Sequence, residues 1–342
     1  MALGTHYYHH LTGGLLIIMK RKDSPARKGM KLLCTLLGII FVVMLGGTLT
    51  FRHFLNQIHY TPSQPKEDQN ILAVFSAFSL GSSSDRIGGP GSDLLNILLV
   101  GQDAREGEEG ARSDSMILCT YNKASRQLTM TSFLRDLYVK IPGYGSNRIN
   151  AAYAYGGTPL LKQTIEENFR VAIDGSIEVD FTHFADIIDQ LGGVELELRQ
   201  DEADVINHQT GSHLTEGTQW LDGYQALTYS RIRNLDIDGD FSRTNRQRKV
   251  INALVDSLRD TGIKDLTAVI GQILPMLTTD LNRGQLLLYA LDVLPHLSEL
   301  DIRSQRIPAD GTFTDKTIDG MAVLSADLEA QRQHLKNTLL NS

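Results

Sequence analysis

Leu94-Leu-Asn-Ile-Leu-Leu-Val100 is a strand-length apolar run broken only by Asn96. A strand of that kind is buried on both faces, so other layers must cover it from both sides. Ser115 to Tyr121 and Leu128 to Phe133 read as two more strands, joined by the polar turn Asn122 to Arg126. Pro159 to Phe169 carries Leu161, Ile165 and Phe169 at helical spacing, after a break at Gly156-Gly157. Ile177 to Phe181 reads as a strand, Phe184 to Leu191 as a helix ending at Gly192-Gly193, and Val194 to Leu198 as a strand. The mixture predicts an α/β fold, a layered α-β-α sandwich around a mixed central sheet. The sheet is mixed because the short early turns make antiparallel neighbours.

The ends of the first three strands are chemically distinctive. Asp103 and Arg105 follow the first, Arg112 and Asp114 precede the second, and Arg135 and Asp136 follow the third. Strands running up, down and up gather all of these at one sheet edge. Asp103 and Asp114 beside arginines suit a hard divalent cation, which uses one or two carboxylates together with phosphate oxygens. Taken singly, each pair reads as a loop salt bridge of little worth.

A second arginine cluster lies further on. In Leu227-Thr-Tyr-Ser-Arg-Ile-Arg233, alternation predicts a strand with Arg231 and Arg233 on one side. From Asp240 the chain reads as a helix capped by Asp240 or Ser242, with Val250, Ile251, Leu254, Val255 and Leu258 as its inward stripe. Extended backwards, that stripe meets Gln247, Arg246 and Arg243, so guanidinium groups occupy the inward face. The bland reading is a solvated charged surface. Buried arginines need anions, however, and the guanidinium fork suits phosphate oxygens. The phase therefore points to an oxyanion pocket.

The net charge of −7 argues against general nucleic-acid binding, so the arginines serve a local site. Of the two cysteines, Cys34 lies in the N-terminal apolar run and Cys119 in a predicted strand, which argues against a disulfide between them.

Met30 to Phe51 lacks charge beyond Lys31, enough for a helix crossing a bilayer. Lys20, Arg21, Lys22, Arg27, Lys28 and Lys31 precede the apolar stretch and place the N-terminus in the cytoplasm. A cleaved signal peptide is the competing reading, but no small-residue cleavage site follows. The expected organisation is a cytoplasmic segment (1–29), a transmembrane helix (30–51), an extracellular stalk (52–92) and an extracellular domain (93–342). Within the stalk, Ile71 to Leu80 reads as a short helix between loop-forming stretches. The C-terminal third has helical periodicity at Leu266–Leu277 and Gly284–Leu297, an edge strand at Leu300–Ile307 and a last helix at Ser325–Leu340. It reads as completing the domain whose motifs occupy 93–260, against the alternative of a separate recognition module.

An ordered series of segments carries a family resemblance. It comprises Asn96-Ile-Leu-Leu-Val-Gly-Gln-Asp-Ala-Arg105, Arg112-Ser-Asp-Ser-Met116, Phe133-Leu-Arg-Asp136, Arg148-Ile-Asn-Ala-Ala-Tyr-Ala-Tyr-Gly-Gly157, Val179-Asp-Phe181, Leu191-Gly-Gly-Val194, Tyr229-Ser-Arg-Ile-Arg233 and Asp240-Phe-Ser-Arg-Thr-Asn-Arg-Gln247. In this the chain resembles the LytR-CpsA-Psr family of membrane-anchored envelope proteins of Gram-positive bacteria. The resemblance implies a phosphotransferase that moves a glycopolymer, such as teichoic acid or capsule, from a polyprenyl-pyrophosphate carrier to peptidoglycan.

By the same resemblance, Asp103 and Asp114 would bind Mg2+ (or Mn2+). Arg105, Arg112, Arg135, Arg148, Arg231, Arg233, Arg243 and Arg246 would hold the pyrophosphate, with Gln247 in support. Asp136 and Asp240 would orient arginines, and Asp114 and Asp136 are the candidates for general base. Three positions depart from the family's pattern: Leu134 stands where Pro is common, Arg148 where Lys is usual, and Arg248 where a second Gln is frequent. Two other functions fit the same site, a hydrolase of lipid-linked pyrophosphate and a non-catalytic polyprenyl-phosphate-binding regulator of the envelope.

Overall fold

The computed structural model describes residues 59–60, 86–89, 91–102, 113–233, 235–236, 240–260 and 271–340. The expected transmembrane helix, the segment before it, most of the stalk with its 71–80 helix, and Asp103, Arg105 and Arg112 lie outside the described residues, as do the side chains of Asp114 and Asp240. Among the described residues no helix is long and apolar enough to cross a membrane.

The fold is a mixed α/β arrangement around a seven-stranded sheet of order β1-β10-β7-β2-β3-β4-β11. Its strands are β1 (His59–Tyr60), β2 (Leu94–Gln102), β3 (Ser113–Asn122), β4 (Gln127–Phe133), β7 (Gly175–Asp180), β10 (Thr278–Thr279) and β11 (Asp301–Ile307). β3 runs antiparallel to both β2 and β4, while β7 is parallel to β2 and β11 is parallel to β4. Four strands thus end at one edge, the edge where Arg135 and Asp136 leave β4.

The apolar β2 is buried as its composition demands, with Leu94, Leu98 and Val100 on one face and Leu95 and Ile97 on the other. Helix α1 (Asn150–Phe169) covers the first face through Leu161, Ile165 and Phe169. The helix α6 (Arg283–Val293) and the 3-10 turn that follows it cover the second, through Tyr289, Val293 and Leu297. Asn96, the polar residue in the run, is fully buried and fully used. Its amide nitrogen donates to Ala172 O at 2.7 Å and its carbonyl accepts from the Thr120 hydroxyl at 2.7 Å.

Helix α1 starts earlier than the break at Gly156-Gly157 suggested. The glycines kink it, with Gly157 at φ 62, and a first section carrying buried Ala152 and Tyr153 precedes them. After β4 comes a hairpin, β5 (Tyr138–Ile141) with β6 (Gly145–Arg148), that periodicity did not reveal. β11 is an edge strand, as its sequence predicted, and the C-terminal helix α7 (Leu328–Leu340) packs Leu335 and Leu339 into the main core. The residues before that helix form a second hairpin, β12 (Phe313–Ile318) with β13 (Met321–Ala326).

Helices α2 (Phe181–Gln190), α3 (Gln200–Thr210), α4 (Gly223–Arg231) and α5 (Asp240–Asp260), with the hairpin β8 (Val194–Leu198) and β9 (Gly217–Leu221), build a second core around Ile188, Ile206, Tyr229 and Val250. Here the strand expected over 227–233 is replaced by helix α4. The Asp222 carboxylate accepts from Gln225 N at 2.8 Å, and the Gln225 side chain accepts from Asp222 N at 3.0 Å. That reciprocal cap starts a helix, and burial of Ala226 and Tyr229 on its inner side overrides the alternation downstream.

The N-terminus of α4 sits directly on α2, because a Cβ at Gly223 would come within 2.1 Å of Ala185 O. Gly223→Ala must push two backbones apart, and we expect a loss of about 1–3 kcal/mol in urea unfolding. An unchanged midpoint would show that the two helices separate freely.

Candidate active site at the sheet edge

Arg135 follows the end of β4, and Asp136 is held there by its own backbone, since Asp136 O accepts from Leu324 N at 2.9 Å. The hairpin β5–β6 then reverses the chain and pairs Tyr138 with Arg148. The reversal brings Arg148 Nη1 to 3.0 Å from Asp136 Oδ1, while Arg135 Nε lies 3.5 Å from Asp136 Oδ2. One carboxylate therefore positions two guanidinium groups, each about a quarter exposed, with the remaining donors directed by that anchor. Leu134 matters here as well. Its N–H donates to Ile307 O at 2.9 Å, tying this corner to β11, a bond that proline has no hydrogen to make.

At the neighbouring strand ends lies a polar cluster that the sequence did not announce. The Tyr153 hydroxyl is 2.8 Å from Glu178 Oε1 and 2.9 Å from Gln102 Oε1, and the Thr158 hydroxyl donates to the other Glu178 oxygen. Burial, and then the hydrogen bond to Glu178, push the Tyr153 phenol above its ordinary range, so it remains a protonated donor. Tyr153 stands inside a segment singled out above. Glu178 adjoins another and carried no local signal.

The second arginine group divides in two. Arg231, in the last turn of α4, sits with its Cζ 4.7 Å from the Phe181 ring centroid, and Arg233 follows two residues on. Both are exposed and both line a cleft of about 700 Å³ between α3 and α4, alongside His208 and Tyr224. They share one opening because a helix ends there, not because a strand alternates. A cation at a helix C-terminus is also favoured by the helix dipole.

Arg243 and Arg246 are buried on the inner side of α5, at 1% and 3% exposure, with Gln247 half-buried beside them. Arg246 is heavily engaged within the protein. Its Nε donates to Glu202 Oε1 at 2.8 Å, its Nη1 to Ile232 O at 3.3 Å, and its Nη2 pairs with Asp236. Neither Glu202 nor Asp236 was visible as a partner in the sequence. The hydrogen bonds from Arg199 and then Arg246 hold the Asp236 carboxyl below its usual range.

Asp114 lies on β3 next to Ser113, whose backbone pairs with Gln102 at the end of β2, and Asp103 is the following residue of the chain. Among the described residues no group of three His, Cys, Asp or Glu side chains is placed to hold a metal.

The family model described as the LytR_cpsA_psr family matches residues 64–339. The chain belongs to this family. It is 32% identical over 323 residues to the polyisoprenyl-teichoic acid–peptidoglycan teichoic acid transferase TagU of Bacillus anthracis, covering 90% of this chain and 96% of that one. It is 37% identical over 198 residues to the corresponding transferase TagT of Bacillus subtilis, where the match spans 55% of this chain and 61% of TagT. In three dimensions it is similar to the LytR-CPS2A-psr family protein YwtF (TagT) with bound octaprenyl pyrophosphate lipid. That match has a TM-score of 0.57 at 28% identity and covers 75% of this chain and 92% of the other. Membership accounts for the ordered motifs and for the mixed central sheet.

Proposed function

We propose that this chain transfers a phosphate-linked glycopolymer, of the teichoic acid class, from a polyprenyl-pyrophosphate carrier to peptidoglycan. The observation that carries the reading is the Arg135–Asp136–Arg148 arrangement at the sheet edge, in a family whose relatives are teichoic acid transferases. A hydroxyl oxygen of the acceptor attacks the phosphorus next to the sugar. A new P–O bond forms, the pyrophosphate bridge breaks, and polyprenyl phosphate leaves. Such a reaction asks the protein for position and for compensation of charge on the phosphate oxygens. Arg135 and Arg148 supply both, with Arg231, Arg233 and Arg243 as further phosphate ligands and Arg105 and Arg112 expected to join them. Asp136 hydrogen-bonds Arg148 through Oδ1 and has Oδ2 beside Arg135, so the role given to it is positioning. By the family resemblance, Asp114 is the candidate to take the proton of the acceptor hydroxyl.

Asp103 and Asp114 are the residues that would hold Mg2+ (or Mn2+). Carboxylate oxygens are hard donors of the kind such an ion takes, and the ion would supply charge neutralisation at the pyrophosphate. The apolar run 30–51 would anchor the chain in the membrane, with the N-terminus cytoplasmic and the domain outside.

The test uses the full chain in detergent with a short-chain polyprenyl-pyrophosphate glycan, peptidoglycan oligomers and magnesium. Mass spectrometry should find a phosphodiester-linked conjugate that Asp114→Ala and Arg135→Ala fail to make. Released sugar phosphate without conjugate would identify a hydrolase, and binding without turnover a regulator.

A further inference from the structure

We propose that a second pocket, at the end of the edge strand β11, binds a phosphate group of the polymer being transferred. This rests on the transferase reading but concerns other residues. A cavity of about 620 Å³ opens there between the first turns of α5, the loop after β11 and helix α7, lined among others by Ser242, Asn245, Arg248, Arg306, Asp310 and His334.

Arg248 is one of the three positions that depart from the family's pattern, and the residue is only 7% exposed. Its Nη1 donates to Ser132 Oγ at 2.8 Å and to Gln305 O at 3.4 Å, both neutral oxygens. Its Nε, also buried, has no acceptor among the described residues. The neighbouring cation, Arg306, stacks 4.4 Å over the Phe241 ring and pairs with Asp310, whose carboxylate is 76% exposed. Burial, and then the charge of Arg306, bring Arg248 down to about 10, which leaves it a cation at neutral pH.

A buried guanidinium facing neutral oxygens and a second guanidinium is costly unless an anion joins them. Phosphate suits the donors present: a guanidinium fork, the Ser242 hydroxyl, the Asn245 amide and the His334 ring. The position suits a polymer as well. β11 is parallel to β4, so the residues after it stand at the same edge as Arg135. Arg248 directly follows Gln247 on α5. A phosphodiester chain reacting at Arg135 and Arg148 would present a later phosphate at this neighbouring opening.

Calorimetric titration of the full chain with inorganic phosphate should resolve two sites. Arg248→Gln should lose one and keep the other, and Arg135→Ala should do the reverse. Two sites persisting in Arg248→Gln would overturn the proposal. Asn245→Asp places a carboxylate in the cavity while leaving the Arg248 contacts intact, and serves if Arg248→Gln fails to fold. It too should lose the second site, and unchanged binding would count equally against the idea.

A glycerol-phosphate oligomer separates polymer from free phosphate. It should bind Arg248→Gln roughly tenfold more weakly or worse, and the variant should show a raised KM for a polymer donor at near-normal kcat. Equal oligomer affinity in wild type and variant would exclude a phosphodiester ligand and sink the proposal. Because transfer is followed in parallel, an Arg135→Ala protein that still transfers would overturn the proposed function instead.

Discussion

Glu202→Ala is expected to destabilise the fold by about 3–5 kcal/mol, the usual cost of breaking a buried ion pair from one side. Glu202 and Arg246 are each only 4% exposed at their side chains, and the Glu202 Oε1 to Arg246 Nε contact is 2.8 Å. The other Glu202 oxygen accepts from Arg199 N at 3.1 Å, so the same change uncaps α3. Asp236 remains beside Arg246 but at a more open position, with a side chain 20% exposed. Urea unfolding of the variant measures the loss. A midpoint within error of wild type would mean that Arg246 finds another acceptor.

Asp236 adds a signature in pH. Its folded value is depressed, so its contribution is complete above the ordinary carboxylate value of about 3.9 and fades as the pH falls through the lower folded value. Asp236→Asn should therefore lower the melting temperature at neutral pH and flatten its decline in acid.

The second large effect concerns activity. Asp136→Asn keeps the shape of the side chain but removes the charge that fixes Arg135 and Arg148. Two guanidinium groups then lose their common anchor, and a misplacement of about 1 Å at a transfer site costs on the order of 10²-fold in rate. We expect a drop of that order in kcat, with folding stability little changed because the carboxylate is partly open to water. Arg148→Lys on its own should retain part of the rate, since the charge remains while the fork is lost. Full activity in Asp136→Asn would show that the arginines are held by other contacts and that Asp136 has no positioning role.

The sequence by itself determined the layering and the address of the site. The apolar density of 94–100 leaves no alternative to burial on both faces, and short turns leave no alternative to antiparallel neighbours for β2, β3 and β4. Given those directions, positions 114, 135 and 136 of the chain fall at one edge of the sheet. The phase of α5 likewise required Arg243 and Arg246 to face inward, because helical periodicity is a local property of the chain.

What each arginine does once inside was a matter for the tertiary structure. Arg246 meets a carboxylate 44 residues away on α3, and Arg248 meets Ser132 from 116 residues away. Neither partnership leaves a trace in local spacing. The segment 227–233 shows the same division. Its alternation was real, but the cap at Asp222 and the packing of Tyr229 against distant helices made it a helix, since burial of large side chains outweighs a propensity worth only a fraction of a kilocalorie per residue. Local pattern fixes which residues face inward; only the packed elements decide what they find there.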